Sequence, residues 1–330
     1  MISPRLKAYR IALPAAALLL AGCSDGEAER RWVEYHRTLE QTLDVAPITR
    51  SAPANIGKLP KRDDRLFDIE ETREGLLDIY ALRACRIVSL VAGRNNQLGR
   101  VAPPSQQWLY ERTLWQRLSG CWNTSVPDEL ADDDRQRLRR LTLTKTRQLP
   151  FVSWNALFDS SEWEKSFSRA STPIAFTDVD IQPDLQALGY LTRMVRHQFS
   201  RSWVQNSSDL EQRLKTLRAR PLTAQVLRTL MLATQRLHEA TAALHSAPIG
   251  RCLPAWRPAP VEAAQRKTAQ WLSAVNALFD SLPLTAPPAM AAYRYRWLSQ
   301  DNPRAPWMSF QAALMEHRAV RFIAGTCRDQ

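Results

Sequence analysis

Histidine, the side chain most often used for acid–base and metal chemistry near neutral pH, is scarce in this sequence. Only five occur among the 330 residues. His238 and His245 share one face of a predicted helix, but a spacing of seven residues separates them by about 10 Å along the axis. Two helical histidines that bind one metal ion are normally four residues apart. We therefore predict no metal site.

The patterns of hydrolytic enzymes are absent or weak. The ten glycines form no Gly-x-Ser-x-Gly elbow and no loop that would cradle a phosphate. Glu162 and Glu164 flank Trp163, a combination found in glycan-cleaving enzymes, but residues two positions apart point to different faces of a helix. We predict no catalytic residue and no cofactor. A non-enzymatic role is favoured, and an envelope enzyme with an unrecognised site is the alternative.

Cysteine chemistry gives a clearer indication. Leu20-Ala21-Gly22-Cys23 closes a leader with a basic head and an apolar run of 11 residues. A membrane-spanning helix needs about 20 apolar residues, so the run is too short to span. The layout resembles the lipobox of a bacterial lipoprotein signal peptide. That resemblance implies a signal peptide over 1–22, acylation of Cys23 after cleavage, and a lipidated tether over 23–30.

The residue that follows the acylated cysteine helps to predict the membrane. It is Ser24, and not the aspartate that in some bacteria retains lipoproteins at the inner membrane. We therefore expect a protein anchored to the periplasmic face of the outer membrane. The inner membrane is the alternative, because Asp25 follows immediately.

The other four cysteines are Cys85, Cys121, Cys252 and Cys327. No pair has the Cys-x-x-Cys spacing of redox or zinc sites. An even number in an oxidising compartment indicates two disulfides, with three connectivities open. The sequential pairing closes the shortest loops, and it is our prediction. In a simple helical hairpin Cys85 and Cys121 would lie unequally far from the turn, so either the segment between them doubles back or the helices cross steeply.

The charge balance is basic. Removal of the leader takes away three basic residues and no acid, which lowers the formal charge from +12 to +9. A basic surface usually raises nucleic acid as a partner, but the export signal argues against it. In the periplasm the candidates are anionic lipid, peptidoglycan carboxylates or an envelope protein. The alternative, which we favour, is a solvated, arginine-rich surface without a ligand.

Apolar residues recur mostly at helical spacing, which predicts an all-α protein. We expect an irregular bundle of about nine or ten helices, forming a single domain over 31–330. A Pro-rich segment at 247–260 is the alternative domain boundary. Residues 171–183 are predicted as an extended connector with room for one short strand. The predicted helices lie near 32–43, 68–91, 103–121, 128–147, 151–167, 184–203, 209–217, 222–244, 261–279, 290–298 and 306–323.

Tryptophan is abundant, with 11 residues in the chain. The C-terminal third interleaves four of them with three arginines, and such clusters can bind sugars or anions through stacking and cation–π contacts. The alternative, which we favour, is that the aromatic rings belong to the core and the arginines cover them. The residues are Trp256, Trp271, Trp297 and Trp307, with Arg257, Arg294 and Arg296.

One block of sequence is distinctive. Gly93-Arg94-Asn95-Asn96-Gln97-Leu98-Gly99-Arg100-Val101 is followed by Pro104-Ser105-Gln106 and by Tyr110-Glu111, and preceded by Gly75-Leu76-Leu77-Asp78 and Cys85. With these residues the chain resembles a family of Gram-negative lipoproteins known as domain of unknown function 3080. The likeness covers most of the mature chain. It implies an exported lipoprotein and no particular reaction.

The same block is also our candidate ligand or partner turn. Asn95, Asn96 and Gly99 suit the end of a helix, and Arg94 can cap carbonyls or pair with Glu111. A structural role is favoured over catalysis. If the chain has a ligand site, the residues we expect there are Arg94, Asn95, Asn96, Ser105, Gln106, Tyr110 and Glu111. The predicted function is a non-catalytic interaction or scaffold subunit in envelope maintenance, with glycan or anionic-lipid binding as a further alternative.

Overall fold

The computed structural model describes residues 26–247, 253, 256 and 259–324. In these residues the chain forms helices and turns without a β-strand, which confirms the all-α prediction. Nine of the fifteen α-helices found there have eight or more residues. Of the shorter ones, only Pro288–Tyr293 corresponds to a helix predicted on its own, near 290–298. The helices are α1 Glu27–Leu43, α2 Arg62–Arg65, α3 Leu76–Ala81, α4 Val88–Asn95, α5 Gln97–Arg100, α6 Pro104–Cys121, α7 Val126–Glu129, α8 Asp132–Phe158, α9 Ser161–Ser166, α10 Gln182–Arg196, α11 Ser207–Ala219, α12 Leu222–Ser246, α13 Ala259–Asp280, α14 Pro288–Tyr293 and α15 Pro306–Ala324.

Two pairs of long helices organise the packing. α12 lies against α15, and α6 lies against α8. α10 contacts both α11 and α13, while α1 packs on α12. The α6 boundaries follow the sequence closely, because proline is favoured in the first turn of a helix, where its missing N–H costs nothing.

Buried apolar side chains form three clusters. The largest runs from α6 and α8 through α15 and contains Trp108, Trp154 and Trp271. A second surrounds the disulfide and includes Leu82, Leu118 and other residues of α3, α6 and α8. The third is small and lies between α1 and α12. α6 and α8 contribute to the first two clusters, so this pair connects them.

The Cys85–Cys121 disulfide is present, with the two Cα atoms 5.3 Å apart, as predicted. The chain between the cysteines doubles back through α4 and α5 before α6 returns to the bridge. The predicted partners Cys252 and Cys327 lie outside the described residues, and so do Cys23, its leader and most of 247–260.

The single helix predicted over 68–91 is wrong. The chain is not helical from 66 to 75, then forms α3, a 3₁₀ turn at Arg83–Cys85 and α4. Glu74 of the non-helical stretch pairs with Arg137 and Arg140 of α8, which holds it away from a helical path. Arg86 then adopts a left-handed backbone with φ of 59°, which ends the 3₁₀ turn.

The prediction of a break between two helices, near 128–147 and 151–167, is also wrong. α8 continues through Pro150, which is buried within it, and the chain breaks only at Asp159. Proline removes one backbone hydrogen bond, and packing of α8 along α6 compensates for that loss. In the described part of the connector 171–183 no strand forms; Thr229 of α12 instead hydrogen-bonds the backbone of Ile174.

Candidate functional site

The predicted turn is closed by its own contacts. Asn95 ends α4, and the Asn96 side chain caps α5 by accepting a hydrogen bond from Gly99 N at 2.8 Å. Arg94 donates to Gly99 O and lies 5.9 Å from the centroid of the Tyr110 ring. A Cβ at Gly99 would stand 2.4 Å from a backbone oxygen, so only glycine fits. Burial raises the pKa of Tyr110.

The other predicted residues belong to two different contact groups. Ser105 and Gln106 both donate to Glu211 of α11, at 2.9 and 2.8 Å. Glu111 forms an ion pair with Lys145 of α8 at 2.9 Å, and not with Arg94. The seven predicted residues therefore do not converge on one ligand. Only Gln106 borders a depression, a shallow and polar one beside α11.

The C-terminal aromatic and arginine residues are mostly structural. Trp271 is buried and donates to Thr223 at 3.1 Å. Trp297 packs directly on Gly57, where a Cβ would lie 2.4 Å from its Nε1. Arg294 binds Asn276 and Asp280 and covers the Phe279 ring. Trp256 is different, because it lines a cavity. Arg257 lies outside the described residues.

That cavity is larger and more enclosed than the depression beside α11. It has a volume of about 540 Å³ and lies between α1, α12, α13, α15 and the connector. We call it the α1 cavity. Exposed Glu34 and Thr38 and half-buried Arg31, all on α1, mark its open side. Its apolar and aromatic walls come from Trp32, Tyr35, Leu39, Ile174, Phe176, Ala233, Trp256, Val261, Ala264 and Phe310.

A chain of hydrogen bonds fixes one wall of the α1 cavity. Thr241 Oγ1 donates to Leu237 O at 2.8 Å, so it accepts from His317 Nδ1 at 2.9 Å. His317 Nε2 then accepts from the Tyr35 hydroxyl at 2.5 Å, a tautomer assigned from this network. Arg321 donates to the same Tyr35 oxygen at 3.2 Å.

Aromatic contacts hold the same wall. The Tyr35 and Trp256 rings stack with centroids 5.9 Å apart, and the His317 ring meets Trp256 edge-on at 5.1 Å. Arg321, with only 7% of its surface exposed, lies 5.7 Å from the Trp256 centroid. The cavity thus combines apolar walls with a buried cation next to stacked rings, an arrangement suited to an amphipathic ligand.

The pKa values of Tyr35 and His317 in this wall do not suit acid–base catalysis near neutral pH. Burial raises the pKa of Tyr35 to about 12, although Arg321 acts in the opposite direction. Burial lowers the pKa of His317 to about 3, and the charges of Arg321 and His36 add to the effect. Near neutral pH, Tyr35 is therefore a neutral donor and His317 a neutral acceptor. A base this weak is poorly matched to proton abstraction at that pH.

We expect His317→Gln to flatten the pH dependence of stability between pH 6.5 and 5. In the unfolded chain the imidazole takes up a proton near its ordinary pKa of 6.5, whereas the folded chain does not until about pH 3. The His317 contribution is therefore complete above pH 6.5 and declines as the pH falls toward 3, by up to about 1.4 kcal/mol per pH unit. Thermal unfolding measured across this pH range tests the expectation.

His245→Gln, at an exposed position on the same helix as Thr241, is the matched control. The pKa of buried His36 is also lowered by burial, so the slope should be reduced and not abolished. Equal slopes for His317→Gln and His245→Gln would contradict the assignment.

Sequence patterns gave no warning of the α1 cavity. Trp32 and Tyr35 fit the apolar stripe of an ordinary amphipathic helix, and His317 and Arg321 fit one face of α15. The chemistry comes from their meeting, which joins residues more than 280 positions apart, as the Tyr35–His317 bond does. In the sequence, Trp256 was noted as part of the C-terminal cluster of tryptophans and arginines. In the structure its neighbours are instead Tyr35, His317 and Arg321.

Among the described residues, no group of three His, Cys, Asp or Glu side chains is placed to hold a metal ion. The helices in that same part of the chain are all too short or too polar to cross a membrane.

Comparison with known proteins identifies a family. Neither the curated proteins nor the solved structures contain a match to this chain. A family model described as "Protein of unknown function (DUF3080)" matches residues 33–259, more than half of the chain. The match includes α1 from residue 33 onward, all of α12 and the whole predicted turn, and it ends before His317 and Arg321. This protein therefore belongs to the DUF3080 family.

Proposed function

We propose that this protein is a lipid-anchored, non-catalytic binding protein of the bacterial envelope, held at the periplasmic face of the outer membrane. Its α1 cavity binds a long-chain amphiphile with an anionic head group. The observation that carries the proposal is the cavity itself, which is open on one side and apolar within.

The size and lining of the cavity support a single-chain ligand. Its volume of about 540 Å³ falls within the range of small-molecule sites. Of the charged lining residues, Arg31 is already paired with Glu27 and Asp178. The preference for an anionic over a cationic head group therefore rests on Arg321, which lies inside the wall beside Tyr35. A scaffold would need no cavity, and peptidoglycan strands, which are polar, match the apolar walls poorly. Anionic lipid is thus the best-supported partner among those that the sequence suggested.

The wall chemistry supports binding without catalysis. The Tyr35 hydroxyl is held as a neutral donor, and His317 as a neutral acceptor with a pKa of about 3. Both groups already bond each other, so neither is aimed at a ligand atom as an activated base or nucleophile. In the proposed role they keep the Tyr35 and Trp256 rings in place as a rigid wall.

The location rests on two independent features. The lipobox-like end of the leader supports acylation of Cys23, and several acyl chains together provide stable anchoring. The Cys85–Cys121 disulfide supports an oxidising compartment, since such bonds are rare in the reducing cytoplasm. Ser24 favours the outer membrane over the inner one.

We expect Thr38→Trp to weaken palmitate binding at least tenfold, measured by calorimetric titration. Thr38 is exposed at the open side of the cavity, so a large ring there obstructs entry without disturbing the core. A tenfold loss corresponds to about 1.4 kcal/mol, a modest share of the energy of burying an acyl chain. Gln41→Trp, on an exposed part of the same helix outside the cavity, is the matched control and should bind as the wild type does.

A second pair of ligands tests the charge preference. Palmitate should bind more tightly than hexadecyltrimethylammonium, which has a chain of the same length and a cationic head. The proposal fails if wild-type protein binds neither ligand, or if Thr38→Trp and Gln41→Trp bind palmitate equally well.

A further inference from the structure

Helix α3 exposes large apolar side chains that take no part in the packing of the core. Leu76 and Leu77 are 80% and 83% exposed, and Tyr80 is 56% exposed. At 100° per residue these three side chains share one side of the helix. Ile79 and Leu82 point the other way and are buried against the disulfide cluster. α3 therefore has apolar residues on both sides, one packed and one in solvent.

The segment from α3 to the end of α5 is mainly basic in sequence. Arg83 lies over the Tyr80 ring, 4.9 Å from its centroid. From Leu76 to Val101 the chain contains four arginines and a single acid, Asp78. That acid binds Arg137 of α8 at 2.7 Å, a guanidinium that also pairs with Glu74 and Asp134. We call Leu76, Leu77, Tyr80 and Arg83 the α3 face.

The neighbouring helices extend the same character. α4 contacts both α3 and α5, so the three helices belong to one small lobe around the disulfide. On and beside α5, Leu98 and Val101 are 79% and 76% exposed, with Arg100 between them. Exposed aliphatic groups of this density mark an interaction site, because single scattered leucines are common but clusters on one lobe are not.

We propose that the α3 face docks onto the surface of an anionic phospholipid bilayer. Leucines that enter the acyl boundary, a tyrosine at head-group level and arginines that attract anionic lipid are the components of interfacial binding. At six residues α3 is far too short to span and lies along the surface. This inference is independent of the α1 cavity, since none of its residues belongs to the cavity lining.

Vesicle co-sedimentation tests the proposal. The protein used is the chain from Ser24 onward, which keeps every described residue and lacks the acylated cysteine. It should bind vesicles that contain phosphatidylglycerol and bind pure phosphatidylcholine much more weakly. Leu76→Ser/Leu77→Ser should reduce the bound fraction about tenfold, and Arg83→Gln/Arg100→Gln about tenfold at low salt.

The control is Leu143→Ser, a leucine of α8 that is 53% exposed and lies outside this lobe. All the altered leucines are exposed, so melting temperatures should match the wild type and confirm that each variant folds. Thr38→Trp should bind vesicles normally, because the α1 cavity is not involved. A loss of vesicle binding in Thr38→Trp would assign the binding to the cavity and overturn this inference while leaving the proposed function standing.

Two other outcomes would also overturn it. The first is equal binding of Leu76→Ser/Leu77→Ser and Leu143→Ser to anionic vesicles. The second is a discrete protein adduct, without lipid adducts, from a photo-crosslinking amino acid placed at Tyr80 in whole envelopes. That result would assign the α3 face to a protein partner.

Discussion

Arg236→Met is expected to destabilise the folded protein by about 3–5 kcal/mol, because it removes a buried guanidinium and leaves two half-buried carboxylates without a counter-charge. Arg236 on α12 is 5% exposed at its side chain and binds Glu29 of α1 at 2.7 Å and Glu239 at 2.8 Å. It also donates to Ser51 O at 2.9 Å. One guanidinium therefore ties α1 and the loop after it to α12. Chemical denaturation monitored by tryptophan fluorescence measures the loss.

The pKa of Glu239 reflects this network. Burial alone would raise it, but hydrogen bonds from Ser51 N–H, Gln235 and Arg236 together hold the pKa below its ordinary value. Without Arg236, burial raises the pKa of Glu239 with less opposition, and the Glu239 carboxylate destabilises the folded state. The double variant Arg236→Met/Glu239→Met should recover part of the lost stability, since it removes one of the stranded charges.

Arg218→Met provides the comparison for Arg236→Met. Arg218 also faces a glutamate, Glu162, at 3.8 Å, but its side chain is 63% exposed. Exposed pairs contribute about 0–1 kcal/mol, so this variant should unfold almost as the wild type does. Similar losses for the two arginines would contradict the role given to the buried network. The result also matters for the α1 cavity, because α1 supplies one of its walls.

Local patterns predicted most of the helices and missed the contacts between them. α6 begins and ends as expected because proline and the flanking loop act on their own turn of chain. The helix over 68–91 was wrong because its fate depends on Glu74 meeting α8 more than 60 residues later. Pro150 led to the wrong division of α8 for the same reason. The cost of a proline inside a helix can be judged from the sequence, whereas the packing against α6 that offsets this cost cannot.

The candidate site shows the same division. The block from Arg94 to Glu111 was noticed for its composition, and the structure uses it for a helix cap at α5 and an ion pair between α6 and α8. The α1 cavity has no local signature, because its walls come from α1, the connector, α12, α13 and α15. Similarly, the Arg236–Glu29 bond joins residues 207 positions apart. Binding sites assembled in this way become visible only when the helices are placed in space.

Replacing both disulfide cysteines, Cys85→Ala/Cys121→Ala, is expected to lower the free energy of unfolding by about 4 kcal/mol. The bridge closes a loop with a sequence separation of 36, and loop entropy in the unfolded chain gives most of this value. Urea denaturation of the oxidised variant and wild type provides the measurement. An unchanged urea midpoint, or free thiols at these two positions in the native protein, would contradict the prediction.

The loss should be concentrated in the lobe that carries the α3 face. The bridge fastens the 3₁₀ turn after α3 to the end of α6, and α4 and α5 lie in the loop that it closes. Amide hydrogen exchange should therefore accelerate over 76–103 in the variant, while α12 and α13 stay protected by the main core. Uniform acceleration across both regions would instead mean that the lobe and the main core unfold as one unit. Because the α3 face needs this lobe folded, the variant should also bind anionic vesicles more weakly than the wild type.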